Sequence, residues 1–172
     1  MNELLPLPDP FGANEWFFIV NMVLLVSLYV ILPKKFPTSI TILLLIFGAI
    51  VARTFDEILA APGHNLYNVL DSGKYELFDL ISYPLYSLFC YLFVYIYAHY
   101  KLTGGRLVLY LLAFAVFGAV FERIAIHFNF FTFKEWKLIY SPSVYLFVQP
   151  LTLVFYHFII GLHPSTIKTE KI

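Results

Sequence analysis

The sequence is poor in the residues from which soluble proteins build sites and surfaces. It has one cysteine, Cys90, in 172 residues, so no internal disulfide can form and the redox compartment cannot be deduced. Charged residues make up 13% of the chain, against about 25% in typical soluble domains. The formal net charge is zero, and the lack of a basic excess argues against nucleic acid as a partner.

Motifs for metal, phosphate and nucleophile chemistry are also missing. The histidines are scattered and no HExxH pair occurs, so no metal site is predicted. "KLTGGR" (101–106) has two glycines but lacks the rest of a phosphate loop, and it fits a tight turn. We therefore predict no catalytic residue and no cofactor.

The amino-terminal region lacks the basic stretch of a cleavable secretory signal. The first 16 residues contain three acids (Glu3, Asp9 and Glu15) and no Lys or Arg. Secretory signals begin with a positively charged region. We therefore expect the first apolar segment to remain in the protein.

What the sequence has in excess is apolar and aromatic residues, at 60% and 20% of the chain. A soluble core of this size cannot absorb them, so the surplus should face lipid. A helix needs about 17–25 mostly apolar residues to cross a bilayer. Five segments meet this length, which predicts an all-α membrane protein with one transmembrane domain over residues 1–172; the spans are about 16–32, 38–60, 77–100, 107–127 and 140–162.

The basic residues near the span ends predict the orientation. One set of connections holds Lys34, Lys35, Lys101, Arg106, Lys168 and Lys171, and the other holds only Lys74, Lys134 and Lys137. The richer set should be cytoplasmic. The amino terminus is then outside and the carboxyl terminus inside.

Charged residues occur within the outer third of these predicted spans. In "FGAIVARTFDE" (47–57), Arg53 is three residues from Asp56 and four from Glu57, spacings that allow ion pairs on one helix face. Further ionic groups fall at the same depth: Asp79, Glu122, Arg123 and His127. Because hydrocarbon cannot solvate them, we expect all seven to turn inward and meet. Four acids against two arginines leave a negative surplus, which requires either protonated acids or an external cation or water.

Two pairs of segments suggest an internal repeat. "FGAIVAR" (47–53) corresponds to "FGAVFER" (117–123), and "YPLYSLFCY" (83–91) to "QPLTLVFYH" (149–157). When the second pair of segments is aligned, polar side chains of span three and span five fall at matching positions. In each span these side chains form a stripe on one helix face. We interpret spans two–three and four–five as parallel repeats, although short apolar matches also arise by chance; the stripe residues are Asp79, Tyr83, Tyr86 and Cys90 in span three and Tyr145, Gln149, Thr152 and Tyr156 in span five.

The stretches "LFDLISYPLY" (77–86) and "FERIAIHFNFFTFKEWKLIYSPS" (121–143) resemble motifs of a family of small, multi-pass, uncharacterised membrane proteins common in spore-forming Gram-positive bacteria. The resemblance covers about residues 50–160, and "HNLYNVLDSGK" departs from the family's basic first outer loop. The resemblance implies a bacterial plasma-membrane location and a multi-pass topology. It assigns no particular activity. The positions carried over are Asp79, Pro84, Glu122 and Trp136, with Asp56 less securely.

Three functions remain open from the sequence. The first is a non-enzymatic membrane protein whose outer charged cluster organises the bundle and binds a small ligand or a lipid headgroup. The second is a proton- or cation-coupled transporter or transporter subunit, with the polar stripes as a path inward. The third is an intramembrane enzyme with Asp56 and Asp79 as paired carboxylates. Membrane lipid, a second copy of the chain or another membrane protein are the expected partners.

Overall fold

The computed structural model describes residues 11–60, 66–69 and 77–163. This part of the chain forms five long helices, one short 3₁₀ helix and a two-stranded sheet. The helices are α1 (Ala13–Ile31), α2 (Thr38–Ala60), α3 (Leu77–Tyr100), α4 (Gly104–His127) and α5 (Ser141–Gly161), the strands are β1 (Tyr67–Val69) and β2 (Phe131–Phe133), and the 3₁₀ helix is Leu138–Tyr140.

All five helices are long and apolar enough to cross a membrane. Large apolar side chains cover their outer surfaces, and Val30, Ile31 and Leu109 are about 70% exposed or more. In water such a surface would be strongly unfavourable, and in a bilayer it contacts acyl chains. The prediction of a helical protein with five spans of membrane length is confirmed.

The helix ends follow local chemistry. Pro33 disfavours helical backbone at the residue before it, and Leu32 is accordingly extended. Between α3 and α4 the chain reverses through Lys101 and Gly104, both with positive φ. Gly104 adopts this conformation without a Cβ clash, which explains the glycine at this position.

The helices pack chiefly in sequential pairs, with α2 against α3 and α4 against α5, while α1 packs on α3. Glycine allows α2 and α3 to approach closely: a Cβ at Gly48 would lie 2.7 Å from the Cβ of Cys90 and 2.9 Å from the Cα of Ser87. Gly118 allows a similar approach between α4 and α5, because a Cβ at Gly118 would lie 2.8 Å from the ring of Tyr145. Small residues at such crossings are typical of membrane helix pairs.

A small antiparallel sheet, not predicted from the sequence, joins the connections after α2 and α4. Tyr67 of β1 pairs with Phe133 of β2, and Val69 pairs with Phe131. Because β1 follows α2 and β2 follows α4, the sheet lies across one end of the four-helix group formed by α2 to α5. We call this the sheet end of the bundle.

Candidate functional site

A cavity of about 250 Å³ lies between α2, α3, α4 and α5 and reaches the sheet end. Within the described residues, α1 contributes nothing to its walls. The lining is mainly apolar and aromatic, with polar groups concentrated toward the sheet end; the polar members are Asp56, Tyr67, Tyr86, Glu122, Trp136, Ser141, Tyr145, Gln149 and Thr152. We call this cavity the bundle pocket.

The bundle pocket runs along part of the bundle's length. On α2 its walls extend from Phe47 to Leu59, which is about 18 Å at the helical rise of about 1.5 Å per residue. Phe47, Phe93 and Phe114 form the end away from the sheet. Phe93 lies about 10 Å along α3 from that helix's other end at Tyr100, so the pocket stops inside the bundle.

Asp56 is held by a tyrosine of the sheet. The hydroxyl of Tyr67 donates to Oδ1 of Asp56 at 2.6 Å, and Tyr67 is buried. Burial raises the pKa of Tyr67, and the nearby Asp56 carboxylate adds to the rise. The phenol therefore stays protonated and remains a hydrogen-bond donor. This bond ties the last turns of α2 to the sheet.

Glu122 is the buried carboxylate of the site, with 8% of its surface exposed. The hydroxyl of Tyr145 donates to its Oε2 at 3.1 Å, and the hydroxyl of Ser141 is also hydrogen-bonded to it. Ser141 in turn accepts from Nε1 of Trp136 at 3.0 Å. Trp136, Ser141, Glu122 and Tyr145 thus form one network that links α4 to the start of α5. Ser141 is the first residue of α5, so this network forms where the helix begins.

Tyr86 presents an unusual polar group to the bundle pocket. Its phenolic oxygen is inaccessible to water and has no hydrogen-bond partner among the described residues. The side chain of Tyr86 forms part of the pocket wall, which Asp56, Tyr67 and Tyr145 also line. A buried hydroxyl without a partner costs free energy, because it has lost its bonds to water.

Aromatic rings surround the polar end of the bundle pocket. The ring centre of Tyr67 lies 6.2 Å from that of Trp136 and 6.0 Å from that of Phe131, with steep interplanar angles. All three residues line the pocket beside Asp56 and Glu122. The polar end thus combines carboxylate oxygens with the faces and edges of three rings.

Arg53 and Glu57 form the predicted ion pair within α2. Both side chains are close to half exposed, and Nη1 of Arg53 donates to the hydroxyl of Tyr83 at 2.8 Å. Neither residue lines the bundle pocket. The pair lies on the outer side of α2, whereas Asp56 of the same turn faces inward.

Arg123 and His127 differ from the expectation that all seven charges converge. Both side chains are exposed, on the side of α4 away from the bundle pocket, and Arg123 has no ion pair within the described part of the chain. Adjacent helical residues point about 100° apart, so Glu122 and Arg123 cannot both face the interior. Near the end of a spanning helix a long basic side chain can reach the interface. The side chain of Asp79 lies outside the described residues.

The stripe residues of α3 and α5 are partly separated by the structure. Tyr83 faces Arg53, and Tyr86 faces the bundle pocket. With its amide oriented to satisfy both ends, Gln149 donates to the carbonyl of Leu111 and accepts from the amide of Ala115 at 2.9 and 3.2 Å. Thr152 donates to the carbonyl of Val148. Tyr156 is buried and packs on Phe36 and Tyr97, outside the pocket's lining.

Of the two tyrosines that donate to the carboxylates, sequence reasoning singled out one. Tyr145 belongs to the predicted polar stripe of span five, and it lines the bundle pocket. Tyr67 lies in a connection between two spans, where no periodicity marks it. Its role depends on the pairing of β1 with β2, a contact between distant parts of the chain.

No group of three or more His, Cys, Asp or Glu side chains in the described ranges is arranged to hold a metal ion. Comparison with known proteins gave no match: no family model, no curated protein and no solved structure is similar to this chain.

Proposed function

We propose that this protein is a non-enzymatic membrane protein that binds a small amphipathic molecule in the bundle pocket. The observation that carries the proposal is the pocket itself, with aromatic walls that close at one end and hydrogen-bonding groups gathered at the other. Ligand sites are usually apolar concavities with a few converging polar groups. The volume of about 250 Å³ is just below the roughly 300–1,000 Å³ of typical ligand sites, so the pocket suits a small ligand.

We further propose that the sheet end lies on the outer side of the plasma membrane. The support is the distribution of basic residues, since Lys101 in the turn before α4 and Arg106 in the first turn of α4 lie at the opposite end. The ligand would then enter from outside or from the outer leaflet. The transport and carboxylate-enzyme hypotheses stay predictions, as does assembly with a second copy.

The binding proposal is tested with an intrinsic reporter. The chain has two tryptophans, and Trp136 lines the bundle pocket while Trp16 is 60% exposed on α1. In a Trp16→Phe protein purified in a nonionic detergent, titration with 4-phenylbutanol should change the Trp136 fluorescence saturably. Filling the pocket with Ala52→Phe should reduce this affinity at least tenfold.

The matched control is Ala113→Phe, because Ala113 is exposed on the lipid-facing side of α4. It should bind the alcohol as the parent protein does. A fluorescence change that never saturates would show that the alcohol only partitions into detergent, and it would refute the proposal. An equal fluorescence change in the Ala52→Phe and Ala113→Phe proteins would refute it as well.

A further inference from the structure

We propose that the ligand of the bundle pocket is an organic ammonium ion with an apolar body, which rests on the binding function proposed above. The first support is the sign of the charge in the walls. Glu122 and Asp56 both line the pocket, and among the described lining residues there is no Lys or Arg. A pocket with this lining favours a cation over an anion.

Glu122 carries the electrostatic part of the inference. It is buried, and the partners that the structure gives it are the hydroxyls of Ser141 and Tyr145. Hydroxyl donors stabilise a carboxylate but leave its charge uncompensated, and a buried charge needs an opposite charge nearby. An ammonium group in the pocket would supply that charge.

Tyr86 is the second and independent support. Its buried hydroxyl has no partner among the described residues, and its side chain lines the pocket together with Asp56 and Tyr145. A phenolic oxygen can accept a hydrogen bond from an N–H group. A ligand that brings N–H donors would therefore satisfy the hydroxyl, whereas an empty pocket leaves it unsatisfied.

The aromatic rings are the third support. Tyr67, Trp136 and Phe131 line the polar end, with ring centres about 6 Å apart in the pairs involving Tyr67. Ring faces attract ammonium groups within about 6 Å, and such attraction strengthens when the cation is desolvated. The remaining walls, from Phe47 to Phe121, would contact the apolar body.

Two sources could supply an ammonium group on an apolar body: a free lipophilic amine, or a phospholipid whose headgroup carries an amine. The pocket wall borders the lipid phase, because Phe117 lines the pocket and is 49% exposed at the bundle surface. Both sources share the same recognition chemistry. The experiment below separates them.

The test compares three probes with one apolar body: 4-phenylbutylamine, 4-phenylbutanol and 4-phenylbutanoate, titrated at pH 7 into the Trp16→Phe protein in nonionic detergent. The amine is protonated at this pH, as lysine is. We expect it to bind at least tenfold more tightly than the alcohol, and the carboxylate at least tenfold more weakly than the alcohol. Glu122→Gln should abolish the preference for the amine.

The control is Glu57→Gln, which removes an acid that pairs with Arg53 outside the pocket and should keep the preference. Should Glu122→Gln fail to fold, Tyr86→Phe serves in its place. It removes only the unsatisfied hydroxyl, so it should raise the melting temperature of the empty protein and lower the amine affinity at least threefold.

Equal affinity of the amine and the alcohol would overturn the ammonium inference while leaving the binding function intact. Failure of all three probes to saturate would instead overturn the binding function. Phosphatidylethanolamine added to the micelles should compete with the amine if the lipid is the source, and should not if the source is a free amine. Equal competition by phosphatidylglycerol would contradict recognition of an ammonium group.

Discussion

At the scale of single residues, the position of a charge on its helix decides what it does. Asp56 and Glu122 face the bundle pocket and are held by hydroxyl groups, while Arg53 pairs with Glu57 on the outer side of α2. Exposed ion pairs contribute little to stability, and a buried carboxylate depends on its hydrogen bonds. Of these four residues, Glu122 is therefore the one whose partners matter most to stability.

This difference predicts the energetic partner of Glu122. In a double-mutant cycle, Glu122→Met and Tyr145→Phe should show a coupling on the order of 0.5–3 kcal/mol, because the two side chains share a hydrogen bond. The free energy of unfolding would be measured in mixed micelles titrated with sodium dodecyl sulfate.

The control cycle pairs Glu122→Met with Arg123→Met. Because Arg123 is exposed on another side of α4, the two losses should add within about 0.5 kcal/mol. A coupling with Arg123 as large as that with Tyr145 would contradict the geometry described here.

At the scale of helices, close packing and hydrogen bonds between pairs set the shape of the pocket. Gly48 brings α2 against α3, and the Gln149 amide bridges α5 to two backbone groups of α4. In a regular helix the Ala115 amide donates to the Leu111 carbonyl. Gln149 therefore bonds to two backbone groups that are partners of each other within α4. These contacts hold the two helices of each pair together at the sides of the cavity.

The α2–α3 contact predicts a sensitive position. Gly48→Ala should destabilise the protein by about 1–3 kcal/mol, because the added methyl would collide with backbone and a Cβ that cannot move separately. The unfolding measurement in mixed micelles applies here too.

Gly161→Ala is the matched control, since a Cβ at Gly161 meets nothing within 4 Å. It should leave stability unchanged or raise it slightly, as alanine usually does in helices. Similar losses for both substitutions would mean that glycine at position 48 is not required for packing.

At the scale of the whole molecule, the sheet distinguishes the two ends of the bundle. It joins the connection after α2 to the connection after α4, and its aromatic residues border the pocket. At the opposite end, Lys101 lies in the tight turn between α3 and α4, and Arg106 lies in the first turn of α4. The proposed orientation places the sheet end outside.

The orientation is tested by labelling single cysteines in intact cells. Since Cys90 is the one native cysteine, Cys90→Ala gives a background for Thr132→Cys in β2 and Gly105→Cys in the opposite turn. Both positions are exposed, and a Cβ at Gly105 meets nothing within 4 Å. A membrane-impermeant maleimide should label residue 132 and label residue 105 only after the cells are broken.

The reverse labelling pattern would place the sheet end in the cytoplasm. It would contradict the proposed orientation and leave the chemistry of the bundle pocket unchanged. Equal labelling of both positions before lysis would show leaky cells, which a cytoplasmic marker protein detects.

The sequence by itself determined that this is a bundle of five membrane-length helices, because the length and hydropathy of a span are local properties. It also located Asp56, Glu122 and the Arg53–Glu57 pair near one end. The tertiary structure alone decided that Glu122 faces a pocket while Arg123 beside it faces away, and that Tyr67 reaches Asp56 from a sheet. The reason is that the rotation of each helix, and the meeting of two distant connections, are set by packing between elements far apart in the chain.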